Sequence, residues 1–170
     1  MSTSLTSLLQ AAHAARSALF ERLHAEGTDA YRLFHGSVEG QPGLTVDRYG
    51  DLVLVQSFHQ TLSEAELAEL SAFYQAALPG CDVVYNDRSS PNSRIVNDLG
   101  SEAEWEAAQR PRVAHELGLS YHIQARHGGQ DPWLFLDLRA ARRRVQQLAA
   151  AATWWPPRAP ACWWPWAWRC

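Results

Sequence analysis

The stretch Ala30–Gln56, AYRLFHGSVEGQPGLTVDRYGDLVLVQ, decides how the chain folds. Tyr31–Phe34 reads as a short strand, and Gly40, Pro42 and Gly43 punctuate a turn after it. Leu44-Thr45-Val46 and Leu52-Val53-Leu54-Val55 are apolar runs on either side of Asp47-Arg48-Tyr49-Gly50-Asp51. That pattern predicts a β-hairpin closed by a five-residue loop.

Helices flank this core of strands. Upstream, Leu5, Leu8, Leu9, Ala12, Leu19 and Leu23 recur at three- and four-residue steps, which predicts an amphipathic helix from Leu5 to Ala25, stopped at Gly27. Downstream, Ser63 and Glu66 form a capping box, with Leu62 and Leu67 at the two positions of a hydrophobic staple. Leu67, Leu70, Phe73, Tyr74 and Ala77 supply the buried face of that helix, and Pro79-Gly80 ends it. Asp82–Tyr85 predicts a strand and Arg94-Ile95-Val96 another, while Ser101 with Glu104 marks the start of a short helix. Leu119, Tyr121 and Ile123 alternate with Ser120, His122 and Gln124, as a half-buried strand does. After His127-Gly128-Gly129, a last helix carries Leu138, Ala141, Val145 and Leu148 on one face and Arg139, Arg142, Arg143 and Arg144 on the others. No internal repeat is present, and the fold class is α+β, a small mixed helix/strand domain.

Composition bounds the function. Residues 1–150 carry 13 Arg against 18 acidic residues and no Lys, and the whole chain has a formal charge of −3. Mild acidity argues against non-specific nucleic-acid binding by the whole surface. Arg110–Val145 is locally basic, however, with seven Arg and three acids. Cys81 alone in the body excludes a disulfide framework, and no basic stretch followed by a long apolar run opens the chain, so a cytoplasmic setting is expected. The seven His are scattered without metal-ligand spacing, so no metal is expected.

Thr153–Cys170, TWWPPRAPACWWPWAWRC, departs from everything before it, with six Trp and four Pro in 18 residues. The prolines forbid a continuous helix or a central strand. A membrane span needs ~20 apolar residues without breakers. Trp and Arg favour a membrane interface, so vesicle docking through this tail is one reading. A frameshift is another. Trp has the single codon TGG, and read one base early each TGG becomes a Leu, Val or Met codon. Trp163–Trp168 then turns into a near-continuous apolar run, as in a buried strand of an α/β sheet.

Three phrases in order, Ala30–Gln56, HELGLSYHIQ (His115–Gln124) and WLFLDLRAARRRV (Trp133–Val145), resemble the class I S-adenosylmethionine-dependent methyltransferases that methylate ring carbon five of cytosine in large-subunit ribosomal RNA. The resemblance runs from Ala30 to Leu148. It implies a domain order: residues 1–28 an N-terminal helix, 29–132 the family's α+β domain, 133–152 a helix leading into a Rossmann-like catalytic domain, and 153–170 an aberrant tail where that domain should begin. It also implies S-adenosylmethionine as cofactor, ribosomal RNA as partner, and a catalytic cysteine downstream that adds to ring carbon six, splitting one hard step into easier ones.

By the same resemblance, Phe135, Asp137 and Arg139 lie beside the methyl donor, where a carboxylate and a guanidinium orient a zwitterionic amino-acid group. Asp137 equally suits a helix N-terminus on dipole grounds alone. Arg142 and Arg143 are the candidate RNA contacts, since guanidinium forks match phosphate, although adjacent helical residues point in different directions. The departures weigh against activity. The family's Gly-Phe-Phe is here Trp133-Leu134-Phe135, its Gln after the Asp is Leu138, and neither its glycine-rich cofactor turn nor its catalytic cysteine is found. The expectation is an inactive fragment, with a stand-alone RNA-binding module as the alternative.

Overall fold

A computed structural model of the chain describes residues 4–90, 102–126 and 132–151, leaving aside the side chains of 103, 104 and 151. Two compact units divide it, Met1–Leu136 and Asp137–Cys170.

The first unit is built on a four-stranded sheet of order β1-β2-β3-β4, comprising β1 (Ala30–His35), β2 (Leu44–Tyr49), β3 (Leu52–Ser57) and β4 (Asp82–Asp87). β1, β2 and β3 are antiparallel neighbours, and β4 joins β3 in parallel. A parallel neighbour needs a crossover, and α3 (Glu64–Ala77) supplies it. Helix α1 (Leu5–Ala25) precedes the sheet, and a helical turn α2 (Gly36–Glu39) links β1 to β2. After α4 (Glu102–Gln109) comes a two-stranded antiparallel sheet, β5 (Arg112–Glu116) with β6 (Leu119–Ile123).

The core lies on both faces of the four-stranded sheet. On one face, Val46, Val53 and Val55 meet Leu9, Phe20 and Leu23 of α1 and Leu70 and Tyr74 of α3. On the other, Tyr49, Leu52, Leu54 and Val84 meet Ala108, Ala114, Ile123 and Leu134. All six residues of β3 are buried as a result.

The caps explain where the helices begin. The Ser63 hydroxyl accepts the Glu66 amide at 3.3 Å while the Glu66 carboxylate accepts the Ser63 amide at 2.9 Å, the reciprocal box its sequence predicts. Ser4 caps α1 with its hydroxyl alone, which accepts the Ser7 amide, and Gly27 closes that helix with φ 68°.

The hairpin turn is shorter than the sequence suggests. Tyr49 pairs with Leu52, so the loop is Gly50-Asp51 rather than five residues. Polar Asp47 and Arg48 are strand residues, paired across to β1. Gly50 adopts φ 62°, the positive value that tight hairpin turns demand. β5 has no counterpart in the sequence reading. Its buried side is Arg112, Ala114 and Glu116 while Val113 and His115 face outward, so its alternation is inverted. The proposed strand at Arg94–Val96 and the helix-capping Ser101 lie outside the described residues.

Of the second unit, residues 137–151 are described. The 3-10 turn Leu136–Leu138 leads into α5 (Arg139–Ala151). The apolar stripe of this helix faces outward: Leu138, Val145 and Leu148 are 50%, 64% and 52% exposed.

Candidate functional site

The residues the sequence nominates for the cofactor are near neighbours in the chain, Phe135 in the first unit and Asp137 and Arg139 in the second. Phe135 is exposed near the end of the first unit, Asp137 is exposed in the 3-10 turn, and Arg139 is half-buried as the first residue of α5. Before them, Trp133 takes φ 67°, an unusual backbone for a bulky residue. The resemblance places glycine here, and the backbone keeps a glycine-like conformation under tryptophan. Leu134 is buried, and its carbonyl accepts the Tyr49 hydroxyl at 3.3 Å. Along α5, Arg142 and Arg143 are half-buried and Arg144 is exposed. Arg139, Arg142 and Arg143 each have an interaction partner.

A web of arginines and carboxylates ties the β2–β3 turn, β4 and β5 together. Arg112 is almost fully buried, pairing with Asp51 at 2.9 Å and Asp82 at 2.5 Å, and Arg110 reaches Asp82 at 2.5 Å. Of these groups Asp51 and Arg112, together with Asp29, Arg48, Gly50 and Cys81, line an open cavity of 490 Å³. The Cys81 thiol sits half-buried near the Gly50 carbonyl, and burial raises its pKa, which disfavours the reactive thiolate. A more apolar cavity of 690 Å³ lies between α3 and strands β3 and β4.

Sequence reasoning missed the polar end of the sheet's second face. Register places His35, Thr45, Gln56 and Asn86 in one rank across all four strands. Beside it, Arg32 grips Asp47 with two bonds of 2.8 and 3.0 Å. Burial raises the Asp47 pKa, and the Arg32 bonds offset this only in part. The Asn86 amide donates to the Ala125 carbonyl at 2.9 Å and accepts from Arg126 at 3.0 Å. The sequence did carry a signal. Thr45, Asp47 and Gln56 are polar residues at same-face positions inside strands rich in apolar residues. Among the described residues no group of His, Cys, Asp and Glu is placed to hold a metal ion, and no helix is long and apolar enough to cross a membrane.

No family model matches the chain. It is 37% identical over 146 residues to a Deinococcus radiodurans ribosomal RNA large subunit methyltransferase, covering 83% of this chain and 35% of that protein. It is also 31% identical over 147 residues to ribosomal RNA large subunit methyltransferase I of Klebsiella pneumoniae, covering 84% and 34%. Among solved structures it resembles SMU.776, described as a methyltransferase and complexed with SAH, with TM-score 0.62, 23% identity and 85% and 36% of the two chains covered. A Streptococcus mutans protein described as a SAM-dependent methyltransferase matches with TM-score 0.61 and 23% identity, over 85% and 37%. The chain thus shares an α+β fold with these structures and spans about a third of the length of the ribosomal RNA methyltransferases to which its sequence is similar.

Proposed function

We propose that this chain is the supporting lobe of an S-adenosylmethionine-dependent methyltransferase that modifies carbon five of cytosine in large-subunit ribosomal RNA, and that the 170 residues alone transfer no methyl group. The observation that carries the reading is the similarity over 146 residues to the Deinococcus enzyme, which spans 35% of that protein. In this reading residues 29–132 are the lobe, 133–152 lead toward the catalytic domain, and the protein works in the cytoplasm on ribosomal RNA.

The donor set fits part of the cofactor. An exposed Asp137 carboxylate and the Arg139 guanidinium suit the ammonium and carboxylate of an amino acid. No glycine-rich turn follows a strand to hold the nucleoside part among the described residues. The cofactor would supply an electrophilic methyl group. Among the described residues, this chain's contribution is to orient charge through Asp137 and Arg139.

The test is methyl transfer from radiolabelled S-adenosylmethionine to unmodified 23S ribosomal RNA. The expected result is no incorporation above background with the purified chain. Stoichiometric methylation of cytosine would overturn the proposed inactivity. Methylation of another base would overturn the proposed target.

A further inference from the structure

The polar end of the sheet's second face is built unlike the rest of the core. Gln56 is only 7% exposed, yet no hydrogen bond of its side-chain amide is found among the described residues. The Thr45 hydroxyl opposite it in register and the neighbouring His35 Nδ1 are also buried without a partner. Residues facing each other across antiparallel strands lie ~5 Å apart between Cβ atoms, so these groups form a compact unsatisfied cluster. A polar group buried without a hydrogen bond keeps its desolvation cost uncompensated. Buried polar groups without a protein partner are completed by water or by a ligand.

What lies beside it narrows the chemistry. The ladder continues one step past β3, where the Phe58 amide donates to the Gly43 carbonyl and the Arg88 amide to the Ser57 carbonyl, both at 2.8 Å. Strand alternation therefore carries Phe58 and Arg88 onto the same face as Gln56 and Asn86. Phe58 is 37% exposed, with the Arg88 guanidinium 5.1 Å from its ring centre. At the other side of the rank, the partly exposed Arg32 neutralises Asp47. A flat aromatic–guanidinium platform beside an amide with donors and an acceptor is what an unstacked nucleobase requires.

We infer that the shelf formed by Arg32, Thr45, Gln56, Phe58 and Arg88 binds an unpaired RNA nucleotide, its base stacked on Phe58 and its edge bonded to Gln56. This rests on RNA being the target of the enzyme, and it assigns that contact to the lobe's own sheet rather than to the arginines of α5. Gln is suited to a base edge because its amide bonds in two directions at once.

The test uses the full 170-residue chain and a fluorescein-labelled unstructured RNA 12-mer at low salt. Phe58→Ala and Gln56→Met are each expected to weaken binding about tenfold, and Phe58→Trp to retain it. Arg110→Ala, away from the shelf, sets the effect of simple charge loss. Circular dichroism confirms that the variants fold. A 4-thiouridine crosslink is expected on the tryptic peptide spanning residues 49–88. Binding by the wild-type chain that both variants leave unchanged, or a crosslink confined to other peptides, would overturn the shelf while leaving RNA as the target. A wild-type chain that binds no RNA would overturn both.

Discussion

Asp47 is a buried side chain whose charge the fold holds at a cost. Its carboxylate is 4% exposed, and Arg32 is its bidentate partner. Burial nevertheless raises its pKa above the ordinary carboxylate value. A carboxyl group whose folded pKa is raised binds its proton more tightly folded than unfolded. Its ionisation therefore removes stability as pH rises through that raised pKa, and acidification restores it. Arg32→Met strips away the compensating cation and leaves a buried charge alone. We expect a loss of about 2–4 kcal/mol at neutral pH, shrinking as pH falls toward 4 and Asp47 takes up a proton. Urea titrations at pH 4.5 and 7.5 check this; an equal loss at both would remove Asp47 ionisation as the cause. The sequence reading treated Asp47 and Arg48 as loop residues because carboxylates and guanidiniums are seldom buried. Only the pairing across strands reveals why these two are tolerated.

Turn geometry dominates among the elements. Gly50 combines φ 62° with crowding, since a Cβ there would stand 2.5 Å from the Val113 carbonyl oxygen. Gly50→Ala therefore meets both backbone strain and a clash with β5. It should cost about 2 kcal/mol or more, read as a lowered urea midpoint with an unchanged slope. Gly40→Ala is the control, since it also has positive φ but open space around it, and it should cost about 1 kcal/mol less. Elements bounded by chemical punctuation were legible: the caps at Ser63 and Gly27 fix α3 and α1 to within a residue. β5 was hidden because Arg112 and Glu116 occupy its buried side. Periodicity counts apolar residues, and this strand buries polar ones.

For the whole molecule, the governing fact is that one sheet carries core on both faces. β3 is covered above and below and paired on both edges. Its amides should exchange with deuterium only through global unfolding, while those of α2 exchange through local opening. Exchange mass spectrometry across a urea series checks this, and fast-exchanging β3 amides would contradict the layered core. The α+β class was legible from alternating helix and strand signals. The stacking of β5 and β6 on the second face was not, because small residues such as Ala114 and Ala108 give little hydrophobic signal yet allow close approach. The shelf escaped notice for a related reason. Gln56 reads as the end of an apolar run, and only four-strand register gathers it with Thr45 and His35.

The parallel seam between β3 and β4 also bears on how the chain assembles. The meander β1–β3 closes between neighbours in sequence, but β4 cannot dock until α3 has crossed over. Until then a newly made chain presents the raw flank of its most water-averse strand, a template for mispairing with other chains. The well-capped crossover helix shortens that exposure, so a weakened Ser63–Glu66 cap would show itself as aggregates during synthesis more than as a drop in melting temperature.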